Sequence, residues 1–547
     1  MNAIENTIKK ILQTGLKKAF DLEKDPHIET PKDKTHGDYA TNLAMSLAKE
    51  LRMAPLNIAK AIVEHCPKHE DIKAIEVKPP GFINIFIKDD SLFDLIEAIL
   101  SQGQTYGTSA IGQNQNINIE FVSVNPTGDI HVGHARGAAA GENMTNIMKK
   151  AGYNVTKEYY VNDGGNQITN LALSLQARYE QLFDRDTPMP KDGYHGAEII
   201  RLAETIKENY NDQFLDRDDA LDRFEDIGVQ ELLKTIKTDL DRFGVTFDIY
   251  FSEKTLYEKD KITDTIKELK DQGFTYEKDG AIWLKTSAYG DEKDRVIIKS
   301  DGTYTYVLPD IAYHNDKLSR GYDKLIDILG GDHHGYVPRL KAAIEMLTGQ
   351  KDKVEVDILQ MVKVLQDGKE IKMSKRSGKA ITLRDLIDAV GKDAIRYFFA
   401  RHSLNTHMDL DLDLALKKTN ENPVYYAQYA HARIMSLFKK AQESDGLTPQ
   451  KNLDNYNALK GEEIKTLLKT LSEYPSVIKE AAQTRQFHKL TQYIHTLSAN
   501  LHSFYAHIPI LQNDKPTIQQ YLNLLEATRL VLKDGLNLIG VSAPNQM

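Results

Sequence analysis

The stretch that decides the fold is Ile117-Asn118-Ile119-Glu120-Phe121-Val122-Ser123-Val124, then Asn125-Pro126-Thr127-Gly128-Asp129-Ile130, then His131-Val132-Gly133-His134, then Ala135-Arg136-Gly137-Ala138-Ala139-Ala140-Gly141. The first eight residues alternate as a strand does, and the Asn-Pro-Thr-Gly run is turn chemistry. The small residues after the two histidines start a helical pattern that runs to Lys150 and stops at Gly152. Tyr153 to Val161 reads as the next strand. Strand, turn, helix and strand in so short a span form a βαβ unit, which closes right-handedly onto a parallel sheet. Small side chains on the helix let it lie close to that sheet.

Working outward, the helical patterns before about Ser101 are followed by Val77-Lys78-Pro79-Pro80-Gly81-Phe82-Ile83-Asn84-Ile85-Phe86-Ile87, which reads as a strand of a small α+β domain. Gly103 to Gly112 has the Gly, Gln and Ser content of a linker. After the βαβ unit, a mostly helical segment, about 171–248, reads as an insertion. The α/β pattern then resumes with expected strands at Ala281 to Leu284, Val296 to Val307, Lys324 to Leu329 and Val354 to Leu365, and a helix from Pro338. Thr382-Leu383-Arg384-Asp385 has capping-box spacing, and beyond it the pattern is almost wholly helical. The expected fold is α/β: an N-terminal α+β domain over 1–105, a Rossmann-type parallel-sheet nucleotide-binding domain over 115–380, and an all-α bundle over 385–547.

The 547 residues suffice for several cores, and 41% apolar with 27% charged content is ordinary for a globular protein. No apolar run is long enough to span a bilayer, so no membrane role is expected. The N-terminus lacks the basic-then-apolar layout of a secretory signal, which makes the cytoplasm the default compartment. A single cysteine, Cys66, excludes an intramolecular disulfide framework and a thiolate-rich zinc site. With a net charge of −9, any RNA contact must rest on local patches rather than on bulk charge.

Two motifs carry chemistry. His131-x-Gly133-His134 falls where a strand passes into a helix, the place where open α/β sheets bind nucleotides. Gly133 would let backbone approach an adenine ring, and the imidazoles could stabilise charge on a transferring phosphoryl group. A surface pair or a metal half-site is the alternative. Lys372-Met373-Ser374-Lys375-Arg376-Ser377-Gly378-Lys379 is either a solvated basic loop or a phosphate-neutralising one.

The two motifs in this order resemble those of the class I aminoacyl-tRNA synthetases. Within that class, Glu120 to Gly128, the pair Tyr306 and Asp310, the polar loop Val161 to Gln167, Asp393 to Tyr397, Asn422 to Arg433 and the additional N-terminal domain are similar to the arginine-specific family. The resemblance implies a ligase that uses ATP, with Mg2+ on its phosphates and no zinc, to activate L-arginine and charge tRNA(Arg). It implies His131, His134, Lys372 and Lys375 as catalytic, and Thr127, Gly128, Gly133, His134, Met373 and Ser374 as the ATP contacts. Glu120, Ser123, Asn125, His134, Tyr306, Asp310 and His333 would hold arginine, since two carboxylates and a phenol match the guanidinium fork. Gly330-Gly331-Asp332-His333-His334 departs from the family where some members place a glutamine, which leaves Asp332 and His333 open to a structural or half-metal-site role.

In the strand after Gly81, Ile83, Ile85 and Ile87 share one face and Phe82, Asn84 and Phe86 the other. The second face is either half-buried packing or a reader of splayed-out RNA bases, and the resemblance assigns Phe82 and Asn84 to tRNA. The resemblance also implies a helical anticodon-binding end and a monomer. Competing readings are a class I synthetase for another amino acid, a non-catalytic RNA-binding paralogue and a small-molecule adenylyltransferase. The last leaves the N-terminal domain and the helical end unexplained.

Overall fold

A computed structural model describes residues 3–29, 31, 33–88, 92–371 and 381–547. At its centre lie five parallel strands, β1 (Asn116–Glu120), β2 (Asn154–Val161), β3 (Ile249–Ser252), β4 (Lys324–Gly330) and β5 (Val354–Leu359), in the order β5-β4-β1-β2-β3. Helix α1 (Val132–Lys150) crosses from β1 to β2, and helix α2 (Val307–Ser319) precedes β4. Because the chain leaves β1 toward β2 while β4 pairs on its other side, the crevice at the carboxyl end of β1 is a topological switch point.

The small-residue argument holds locally. A Cβ on Gly141 would fall within the ring of Phe121, so α1 lies on the sheet at a spacing only glycine permits. Arg136 of α1 is 1% exposed and donates to the carbonyls of Gln360 (2.7 Å), Ser403 (2.8 Å) and Thr406 (2.8 Å), tying the helix to the chain that follows β5.

Four sequence expectations need correction. The strand expected over Ile117–Val124 ends at Glu120, because Val122 and Ser123 take left-handed φ values of 69° and 42° and turn the chain out of the sheet. The single strand of the N-terminal domain is a pair, Ile72–Lys78 and Phe82–Ile87, joined through Pro79 and Pro80, with Tyr39–Thr41 on the other edge. Val296 to Val307 is not one strand: Arg295–Ile298 is a strand, and Val307 opens α2. That short strand and Ala281–Leu284 form an antiparallel sheet with Thr275–Lys278, outside the parallel one. Val354 to Leu365 breaks into β5 and Val362–Gln366, the latter in a further sheet with Lys369–Glu370 and Met408–Asp411.

The inserted segment folds as helices Asn166–Gln181, Ala197–Tyr210 and Ala220–Phe243 around their own apolar cluster. The capping box at Thr382 is present, with Asp385 returning the bond. The helices Pro423–Asp445, Glu462–Thr484, His488–His507 and Lys515–Leu538 form the terminal bundle. Arg396, fully buried, donates to Ile539 O (3.1 Å) and Asn143 Oδ1 (2.7 Å), joining the end of the bundle to α1.

Candidate active site

A cleft of about 1700 Å³ opens at the carboxyl ends of β1, β2 and β4. The register sets Glu120 between Glu158 of β2 and Asp327 of β4, so three carboxylates stand in a row on one face of the sheet. Helix α2 packs against them and supplies the counter-groups. Lys317 Nζ lies 2.5 Å from Glu120 Oε2 and 3.3 Å from Asp327 Oδ1. His314 bonds Asp327 Oδ2 at 2.8 Å, and Arg320, just past the helix, reaches Glu158 Oε1 at 2.8 Å. Burial by itself would raise the Asp327 pKa, yet Lys317 and His314 hold it below the ordinary carboxylate range. Burial would likewise lower His314, and Asp327 outweighs it, leaving the imidazole above its usual value.

Asp310 sits in the first turn of α2 and faces the same cleft. Its Oδ2 accepts from the hydroxyl of Tyr336 at 2.5 Å. Burial raises the Asp310 pKa, with Tyr336 opposing. Among the wall residues nearby, Tyr160 and Glu253 add a phenol and a further acid. This end of the cleft is therefore acidic, enclosed and rich in acceptors.

The opposite character appears at the start of α1. His131 is the N-cap, and its Nδ1 accepts from Gly133 N at 3.1 Å. Its ring stacks on His134, with centroids 3.5 Å apart and planes 23° apart. A Cβ on Gly133 would meet the His131 ring at 3.1 Å, so this glycine serves the ring packing as well as any ligand approach. Burial, and secondarily His131, pull the His134 pKa down to about 3, so the ring is neutral at pH 7. His134 Nδ1 is buried without a hydrogen-bond partner among the described residues. His134, a lining residue of the cleft beside a helix N-terminus, thus keeps one ring nitrogen without a partner among the described residues.

Glu120, Ser123, Asn125, Thr127, His134, Tyr306, Asp310 and His333 all line the one cleft. Ser123 Oγ donates to Glu120 Oε1 at 2.9 Å and accepts from Tyr160 N at 3.1 Å, while Asn125 donates to Gln167 at 2.6 Å. Gly128 and Gly133 belong to the turn and helix start beside it. Two of these placements differ from the simple expectation. Tyr306 is 92% exposed at the start of α2, so the phenol on Asp310 is that of Tyr336. Glu120 is bound to Lys317 and is not a free acid. His333 lies 3.6 Å from Asp332, both well exposed at the mouth. Sequence reasoning missed Tyr336, His314 and Lys317. The last two were findable, since Asp310, His314 and Lys317 follow an i, i+4, i+7 spacing that places them on one helix face.

Lys372, Met373, Ser374 and Lys375 lie outside the described residues. The chain just beyond them docks on the histidine motif: Val132 N donates to Ile381 O at 3.3 Å and Leu383 N to Ile130 O at 2.7 Å. In the N-terminal domain, Phe82 and Phe86 are half-buried and Asn84 is 2% exposed, while Ile83, Ile85 and Ile87 face the core.

Comparison with known families and proteins agrees with this geometry. The profile "tRNA synthetases class I (R), catalytic domain" matches residues 95–435, "Arginyl tRNA synthetase N terminal domain" matches 3–87, and "DALR anticodon binding domain" matches 427–547. The arginine–tRNA ligase of Bacillus subtilis is 49% identical over 524 residues, covering 95% of this chain and 94% of its own. The chain belongs to the arginyl-tRNA synthetase family. The Bacillus licheniformis arginine–tRNA ligase is 47% identical over the full length of both chains. The solved Thermus thermophilus arginyl-tRNA synthetase superposes over the whole of both chains with a TM-score of 0.79 at 20% identity, so the synthetase fold persists where most side chains have changed. As a class I arginyl-tRNA synthetase, the enzyme uses ATP to charge tRNA, and no helix among the described residues is long and apolar enough to cross a membrane.

Proposed function

We propose that the two ends of the cleft divide the chemistry of charging tRNA(Arg) with arginine between them. The observation that carries this reading is the pairing, in one cavity, of an acidic enclosed floor with a neutral, unpartnered imidazole at the start of α1. Arginine enters with its guanidinium toward Glu120 and Asp310, whose acceptors suit a planar, permanently charged fork. Ser123 fixes Glu120, and Asn125 takes the amino acid's polar end. Tyr306 and His333, exposed at the mouth, close over the bound substrate.

With the side chain anchored, the arginine carboxylate is presented to the α-phosphorus of ATP. Attack forms the acyl–phosphate bond and expels pyrophosphate. His134 donates an N–H to the phosphate as charge builds there, and His131 holds the helix start and the stacked ring in place. Thr127, Gly128, Gly133, Met373 and Ser374 bed the nucleotide, while Lys372 and Lys375 neutralise the leaving pyrophosphate. A terminal ribose hydroxyl of tRNA then attacks the carbonyl and releases AMP. Phe82, half-buried on the N-terminal sheet, contacts the tRNA away from the cleft, and Asn84, expected from the sequence to share that contact, is buried and supports the strand from within.

Mg2+ accompanies the triphosphate. Its ligands would be mainly phosphate oxygens and water, as is common for this cation. The family resemblance further points to a monomer that works in the cytoplasm. Aminoacylation of total tRNA with each amino acid in turn tests the specificity. Charging by another amino acid in place of arginine overturns it.

A further inference from the structure

Three carboxylates aligned across adjacent strands form an arrangement that should not survive unaided. Glu158, Glu120 and Asp327 occupy neighbouring register positions, Glu158 and Asp327 are 0% and 2% exposed, and Glu120 is 8% exposed. Like charges this close, out of water, drive one member to take up a proton. Each flanking acid has its own partners: Arg320, Asn118 (2.6 Å) and Tyr313 (3.1 Å) for Glu158, and His314 for Asp327. Glu120, the middle one and a wall of the cleft, has a single salt-bridged cation among the described residues. That cation is Lys317, whose side chain is 0% exposed and spans from Glu120 to Asp327.

We propose that Lys317 is a positioning residue for the guanidinium site. Held against Glu120 Oε2 and Asp327 Oδ1, it offsets the negative charge of the row and turns the middle acid so that its remaining lone pairs face the cleft. Ser123 fixes the other oxygen, Oε1, at 2.9 Å. Lys317 touches no substrate. It sits behind Glu120, seven residues along α2 from Asp310, so one rigid helix sets both acids that grip the substrate. A cationic substrate is thus selected by a site that itself contains a buried cation, because that cation is spent on the acid row rather than presented to the ligand.

This inference rests on the assignment of Glu120 to the guanidinium. Lys317→Met should raise the KM for arginine roughly 10- to 100-fold and leave the KM for ATP unchanged, measured by aminoacylation of tRNA(Arg). The groups facing Glu120 are Lys317, Tyr313, His314 and Asp310 of α2, Tyr160 and Glu158 of β2 and Asp327 of β4. With Lys317 gone, the row binds an extra proton. The variant-to-wild-type ratio of kcat/KM for arginine should therefore rise as the pH is raised from neutrality, and Lys317→Arg, which keeps the charge, should retain more activity than Lys317→Met.

An arginine KM within about twofold of wild type, or a ratio independent of pH, overturns the proposal. Should Lys317→Met not fold, the Glu120→Gln/Lys317→Met double variant removes the repulsion together with the cation. Its kcat/KM for arginine should match that of Glu120→Gln alone, and a much lower value overturns the proposal. An unaltered arginine KM in Glu120→Gln alone instead strikes at the assignment of Glu120. Lys317 fails by itself when Glu120→Gln raises that KM and Lys317→Met does not.

Discussion

The rings of His131 and His134 stack 3.5 Å apart, yet only one is committed: His131 caps α1, while His134 Nδ1 is buried and unbonded among the described residues. On the proposed reading the first ring holds the helix start and the second meets the phosphate. His134→Ala should lower the rate of adenylate formation by about 10²-fold or more with little change in arginine KM. His131→Ala should add a loss of about 0.5–2 kcal/mol in stability from the missing cap. Pre-steady-state adenylate formation together with denaturant midpoints separates the two. Normal turnover in His134→Ala removes it from the chemistry.

The same burial makes a pH statement. Folding lowers the His134 pKa from 6.5 to about 3, so between those values the unfolded chain binds a proton that the folded chain does not. This site's contribution to stability is therefore full above pH 6.5 and declines as the pH falls toward 3. His134→Ala should show a shallower loss of thermal midpoint between pH 7 and about pH 5 than wild type. Equal slopes would place the ring in water.

Asp310 should decide between arginine and its neutral near-isostere citrulline, because citrulline would leave the carboxylate without a counter-charge. Discrimination by roughly 10⁴-fold is within reach of such sites. Asp310→Asn should lose most arginine activity and that discrimination together, while lysine stays poor in both enzymes for want of a fork. Tyr336→Phe should weaken arginine binding less than Asp310→Asn does, since it removes only a hydroxyl that holds the acid. The check is kcat/KM for the three amino acids, and an Asp310→Asn enzyme that discriminates like wild type returns Asp310 to a helix-start role.

Phe82→Ala should raise the KM for tRNA by the equivalent of about 1–3 kcal/mol if the ring stacks on a base, with ATP affinity unchanged. Asn84→Ala should act in the same direction and also lower stability, since Asn84 is nearly fully buried. Unchanged tRNA kinetics in folded variants would leave both residues to the packing of the N-terminal sheet.

Gly141→Ala should destabilise the fold by about 1–3 kcal/mol through overpacking against Phe121. Pairing it with Phe121→Leu should recover part of the loss. A denaturant midpoint equal to wild type would mean that α1 can lift from the sheet without cost.

By itself, the sequence determined what local physics can determine. The βαβ unit at 117–161, the helical insertion, the capping box at Thr382 and the helical character of the terminal bundle each follow from periodicity or turn chemistry within a short window. Through the family resemblance it also marked Glu120, Asn125, His134 and Asp310, which line the one cleft. Only the tertiary structure decided which partners those residues have. Strand register, a long-range property, put Glu158, Glu120 and Asp327 side by side, and the seating of α2 then placed Lys317 and His314 among them. The exchange of Tyr306 for Tyr336 on Asp310 has the same origin. A spacing of four residues shows that two side chains share a helix face, but residue 336 reaches residue 310 only because the chain after β4 folds back over the start of α2. Charge pairing and burial are sums over neighbours distant in sequence, and no local window contains them.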